Sequence, residues 1–294
     1  MIFDKPVTLT DALRFASAKR VLALSPAIGT RDIEENIPAE IRERAFYSAR
    51  TPYADYLAET SRNIQRMVQP DVRITPDGLV PTVSGDSISP AQVRARMKRQ
   101  LAALGYQPDP AKRGGLQDLS SDRRVNLIID TQLKMSRGYG SWRQSQDSTV
   151  LDLWPADELY RAINRKNERD WQQRWNEARR ALGSRTSATV ALYATGPFVA
   201  LKNDPIWREI SRFRNPYPPF DFMSGMRVRD VSFKRALELG VIKQAQTVPP
   251  AKDSLNEPVE MDVSTMPAGI LQALGSALAG VARIAGNKLL IGGV

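Results

Sequence analysis

Over most of the first 240 positions apolar residues recur at spacings of three and four, the period of helices that bury one face. The clearest case follows Ser89-Pro90-Ala91-Gln92, which supplies a capping hydroxyl, a proline at the first helical position and a glutamine three residues after the cap. Val93, Met97, Leu101 and Leu104 then form its apolar stripe, and Gly105 closes it. The same reading predicts helices over 40–49, 53–68 (after a break at Pro52), 122–137 (closed by Gly138), 169–182, 205–213 (begun by Asp204-Pro205) and 230–239 (closed by Gly240). Strand patterning is confined to Val190–Tyr193 and Phe198–Leu201, which Ala194-Thr195-Gly196-Pro197 joins into a hairpin. The expected fold class is α+β, a helix-dominated globular body with a small β-hairpin or sheet element. There is no internal repeat and no heptad series.

The pattern changes toward the C-terminus. Prolines at 249, 250, 258 and 267 and a shortage of large apolar residues mark 244–266 as a linker. Beyond it, on a wheel turning about 100° per residue, Ile270, Leu271, Leu274, Leu278, Val281, Ile284 and Leu289 share one face, while Gln272, Ser276, Arg283 and Asn287 lie opposite. This reads as a C-terminal amphipathic helix over 267–294. Docking of Ile270, Leu274, Leu278 and Val281 on a protein partner is the first reading and a membrane interface the second. The segment is neither long nor apolar enough to be read as a span. The resulting plan is an N-terminal arm (1–37), a body (38–243) with a helical half (38–140) and an α+β half (141–243), a linker (244–266) and the tail helix.

Composition then removes much chemistry. The 294 residues include neither Cys nor His, so disulfides, thiolate nucleophiles, Cys/His zinc sites and imidazole bases are absent from the repertoire. The sequence shows neither a nucleophile elbow nor a phosphate-binding glycine loop, and no cofactor is expected. The start of the chain lacks the pattern of a secretory signal, which makes a cytoplasmic site of synthesis the expectation.

Net charge is +10 with a pI near 9.9, a balance suited to an anionic neighbour. From Val248 onward Lys252, Arg283 and Lys288 face four acids, so the excess belongs to the body. Its densest basic regions are Arg94, Arg96, Lys98, Arg99, Lys112 and Arg113, then Arg161, Arg165, Lys166 and Arg169. These are candidate contacts for DNA phosphate or an acidic protein surface; without an aromatic stacking platform or a reading helix, a solvated helix face or an acidic partner is favoured over contact with DNA phosphate, and sequence-specific readout is not expected.

Carboxylates are the remaining candidates for catalysis. Asp147, Asp152, Asp157 and Glu158 lie close in sequence, and an all-oxygen Mg²⁺ site for phosphodiester cleavage is one reading. The stronger reading places Asp157 and Glu158 in the first turn of a helix after Pro155, where acids stabilise the start. The tryptophans read as core. Asn215-Pro216-Tyr217-Pro218-Pro219-Phe220-Asp221-Phe222 is extended by its prolines, so Tyr217, Phe220 and Phe222 are anchors for either the chain's own core or a neighbouring subunit.

Several segments together resemble one family. Arg44–Arg50, Gly114–Leu119, Arg137–Trp142 (RGYGSW), Leu151–Ala156 (LDLWPA), Ala200–Trp207 (ALKNDPIW), Pro216–Phe222 (PYPPFDF) and Ser224-Gly225-Met226 are similar, in this order, to phage and prophage proteins of the Mu F-like minor head, or head morphogenesis, group. The resemblance covers 38–242 and excludes the tail. It implies a virion component at the head interior or portal vertex, made in the bacterial cytoplasm, partnered by portal or major capsid protein and lying near packaged double-stranded DNA. It implies a role in head assembly or genome delivery, and no catalytic residues. Many members of the wider group carry Cys and His in the C-terminal half, where this chain has none. Alternatives to a structural role are a metal-dependent nuclease and an ejected protein that meets a membrane through its tail.

Overall fold

The structure is a computed structural model and describes residues 10–68, 72–75, 78–81, 88–255, 257–280 and 282–291. In chain order its first elements are α1 (Thr10–Ala18), β1 (Arg20–Val21), α2 (Thr30–Asn36), α3 (Ala39–Arg44), β2 (Ala45–Phe46), α4 (Ala54–Val68), β3 (Val72–Thr75), β4 (Gly78–Pro81), α5 (Pro90–Ala103) and α6 (Asp122–Ser145). There follow α7 (Ser148–Leu153), β5 (Ala156–Arg161), α8 (Trp171–Leu182), β6 (Val199–Leu201), α9 (Ile206–Ile210), β7 (Met226–Val231), α10 (Phe233–Glu238), β8 (Val259–Asp262), α11 (Ala268–Ala277), β9 (Ala282–Ala285) and β10 (Lys288–Ile291). Helices joined by small sheets make this an α+β fold. Two compact units divide it: Met1–Arg137 together with Asp253–Val294, and Gly138–Lys252.

In the first unit the predicted helices pack by their apolar stripes. Tyr56, Leu57 and Ile64 of α4, Val93, Met97 and Leu101 of α5, and Val125, Ile128 and Ile129 of α6 share one core with Ala12 and Ala16 of α1. The capping box before α5 forms as read: Ser89 Oγ accepts from Gln92 N at 3.2 Å, and Gln92 Oε1 accepts from Ser89 N at 2.8 Å. The helix expected over 40–49 stops at Arg44, because Ala45 and Phe46 pair in parallel with Arg20 and Val21.

A second core in this unit overturns the plan of arm, linker and free tail. Leu22, Leu24, Ile33, Ile37, Ile41 and Ala45 pack with Val263, Ile270, Leu274, Leu278, Leu289 and Ile291. The linker contains β8, which pairs with β10 (Leu289 opposite Met261), and Leu255 is buried. The tail helix ends at Ala277. Gly280 takes φ +83°, and Gly286-Asn287 forms a two-residue loop that folds β9 back on β10, so Ile284 and Leu289 belong to strands. A glycine-asparagine loop between short extended runs outweighs a helical period that glycines already weaken. Ile270, Leu274 and Leu278 are therefore committed to their own core rather than to a partner, and Val281 lies outside the described residues. Among the described residues no helix is long and apolar enough to cross a membrane.

Buried charge reinforces this closure. Arg44 Nη2 donates to the carbonyls of Ser254 (2.6 Å) and Glu257, and Ser254 Oγ donates to Glu43. All of these groups lie within the first unit.

The second unit is an antiparallel sheet of order β6-β5-β7 with helices packed about it. Its hairpin prediction needs correction. The chain does reverse between Tyr193 and Gly196, but Val190–Tyr193 forms no strand ladder, and Val199–Leu201 pairs with β5. Trp175 Nε1 instead donates to Thr189 O at 2.8 Å, and within this run the amide and carbonyl of Ala191 are both bonded by the Asn176 side chain of α8. Gly138 does not end α6. A Cβ there would lie 1.8 Å from Pro218 O, so glycine is required by the close approach of the proline-rich segment.

Leu274→Ala is expected to lower the stability of the first unit by about 2–5 kcal/mol, measured by urea unfolding; a tail that contributed nothing to the core would leave the midpoint unchanged. Gly138→Ala is expected to cost at least about 3 kcal/mol, the upper end of overpacking penalties, in the same measurement.

Candidate functional site

The sheet of the second unit places three ionisable groups together. Asp157 on β5 stands opposite Asp230 on β7, and Ala156 stands opposite Leu201, so Lys202 leaves the end of β6 beside them. Lys202 N donates to Pro155 O at 2.9 Å, which ties the start of its side chain to the strand carrying Asp157. The Lys202 side chain has no solvent exposure; its Nζ lies 2.6 Å from Asp230 Oδ1 and 3.9 Å from Asp157 Oδ1. Asp230 is 59% exposed and Asp157 15%. Burial pushes the Asp157 carboxyl up to about 7, with the Lys202 cation opposing the shift and the Asp230 carboxylate adding to it.

The expectation that Asp157 and Glu158 open a helix is thus wrong. They lie in β5, where Ala156 and Leu159 are buried and Glu158 pairs with Arg229 (2.9 Å). Asp147 does cap α7, accepting from Thr149 N at 2.9 Å, and Asp152 is exposed on that helix. These carboxylates are not gathered: among the described residues no group of three or more His, Cys, Asp or Glu is placed to hold a metal ion.

The basic positions are on the surface but partly neutralised. Lys98 pairs with Asp122 (2.8 Å), Lys112 with Asp109 (3.2 Å) and Arg161 with Glu168 (3.4 Å). Arg94 reaches Asn126 (3.3 Å) and Arg96 reaches Asn63 (3.5 Å). Arg99, Arg113 and Lys166 are exposed with no ion-pair partner among the described residues, and Arg165 is half-buried beside Gly225. A phosphate-bearing neighbour would meet fewer free cations than the sequence count suggests.

The proline-rich segment resolves its two readings in favour of its own core. Tyr217 meets Tyr139 and Trp142 at ring distances of 5.8 and 5.7 Å, Phe220 stacks on Trp207 at 5.9 Å, and Phe222 meets Phe213 edge-on at 4.8 Å. Asp221 between them binds Arg169 (3.0 Å) and Arg174 (2.9 Å). These rings are not free to anchor a partner.

No family model, curated protein or solved structure matches this chain. The functional reading accordingly rests on its own residues.

Two buried lysines escape a reading by periodicity. Lys202 follows Ala200-Leu201 in an apolar run, and a charge at the end of such a run is the one signal that marks it. Lys19, in the first unit, is buried over the Phe15 ring (4.3 Å) and donates to Gln132 Oε1 at 2.9 Å. Burial pushes its amine down to about 7, against the pull of Glu43. The unfolded chain keeps that proton to higher pH, so this group adds stability as pH rises from about 7 to 10. Lys19→Met is expected to flatten that rise in pH-dependent unfolding; parallel profiles contradict it. Lys202→Met, which removes the cation that Asp230 binds at 2.6 Å, is expected to lower the midpoint of thermal or urea unfolding, the loss being limited because Asp230 is open to solvent; an unchanged midpoint contradicts it.

Proposed function

We propose that this chain is a structural minor head protein of a tailed phage or prophage particle, acting at the head interior or portal vertex in head assembly or genome delivery. The observation that carries the proposal is that four of the seven segments behind the family resemblance pack against one another in the second unit. RGYGSW and PYPPFDF are some 80 residues apart, yet Gly138 abuts Pro218 and Tyr139, Trp142 and Tyr217 form one ring cluster. ALKNDPIW contributes the sheet edge, Lys202 and the Trp207 ring that stacks on Phe220. Gly225 of the Ser-Gly-Met motif, at φ +73°, would place a Cβ 2.2 Å from Ile163 O. Packing of these motifs against one another is what a shared fold would require, and it supports the reading.

Tail and proline-rich segment both being spent internally, contact with portal or capsid falls to the outer surface. There the exposed cations Arg96, Arg99 and Arg113 supply positive potential toward an acidic subunit face or packaged duplex DNA. This contact needs neither catalysis nor cofactor.

Particles assembled from a genome lacking this gene are expected to give few filled, infectious heads, restored by expression of the chain in trans; normal yield and infectivity overturn the proposal. In the complementation assay Arg99→Glu and Arg113→Glu together are expected to weaken incorporation into heads while leaving the unfolding midpoint unchanged.

A further inference from the structure

Lys202, Asp157 and Asp230 are arranged beyond what a simple ion pair needs. An amine closed off from water lies between a half-exposed carboxylate at 2.6 Å and a second, shielded carboxyl at 3.9 Å. Both strands and the Lys202 backbone are fixed by the sheet, through the Asp157–Asp230 register and the bond from Lys202 N to Pro155 O. The geometry points to an intramolecular amide between Lys202 Nζ and Asp157 Cγ, a covalent tie between β5 and the end of β6.

The step balances without a further reagent. Asp230 takes one proton from the Lys202 ammonium and, being open to solvent, passes it to water. The freed nitrogen lone pair attacks Asp157 Cγ, forming the C–N bond. The carboxyl C–OH bond breaks, and the hydroxyl leaves with a second amine proton as water. An ammonium and a carboxylic acid thus become an amide, one water and one released proton, with no change of oxidation state.

Physical conditions at the site favour this course. The acid must be neutral to lose water, and burial holds the Asp157 carboxyl in its protonated form up to about pH 7. Enclosure of Lys202 weakens competition from solvent. Holding both reactants in one frame is equivalent to an effective concentration of about 10⁵–10⁸ M when the reacting atoms reach about 3–3.5 Å. From 3.9 Å to the nearer carboxyl oxygen, that closure is a side-chain movement, since the backbones are already paired. The amide would also remove the cost of keeping an ammonium buried. None of this depends on the chain's place in a phage head, and it stands or falls by itself.

The test is the intact mass of the purified full-length chain. The expected mass is one water below that of the sequence. Digestion with trypsin should leave the Lys202 site uncut and yield peptide 186–208 joined to peptide 144–161. Lys202→Arg and Asp157→Ala should each restore the full sequence mass. A wild-type chain at full mass with trypsin cleaving after Lys202 overturns the inference, as does a link that persists in Asp157→Ala.

Discussion

The first unit depends on burying the apolar residues of one end of the chain against those of the other. Leu22, Leu24, Ile33 and Ile37 have no sufficient cover from their own short helices, and α11 with the β8–β10 sheet supplies it. Because the partners lie more than 200 residues apart, this core closes after nearly all of the polypeptide is available. Arg44 and Glu43 then fix the segment at 254–257 by satisfying its carbonyls and hydroxyl, an arrangement tolerable in an interior because the charged groups find hydrogen-bond partners there. The tail is part of the fold, and a functional account cannot also use it as a free arm.

The second unit is organised by a different constraint, the close passage of the proline-rich segment over α6. Glycine at 138 lets Pro218 approach, and the rings on either side fill the volume around the contact. Asp221, whose side chain is buried, is held by Arg169 and Arg174, so a member of the basic run at 161–169 serves the interior rather than the surface. With Tyr217, Phe220, Phe222 and the tail consumed by packing, what the chain leaves at its surface is shape and charge.

Much of the helical frame was legible because α4, α5, α6 and α8 bury one face at the helical period and carry their own start signals. What the sequence concealed has a common cause, strands too short or too mixed to alternate clearly. β5 has two buried residues among six and begins with acids that suit a helix start equally well. The tail from 268 to 291 satisfies a helical wheel and a hairpin at once, and the choice falls to Gly280 and the Gly286-Asn287 loop together with pairing to β8, a distant contact no local pattern encodes. The Asp157–Lys202–Asp230 group was half visible: Asp157 stood out as a carboxylate, but its partners are brought in from 45 and 73 residues away by sheet register.

Amide hydrogen exchange of the intact chain tests the central claim, that the C-terminal segment is a core element of the first unit. The amides of 259–263 and 288–291 should exchange at the slow rate set by unfolding of that unit, together with those of α2 and α3. Exchange of 259–291 at the rate of unstructured peptide, while α2 and α3 stay protected, would contradict it.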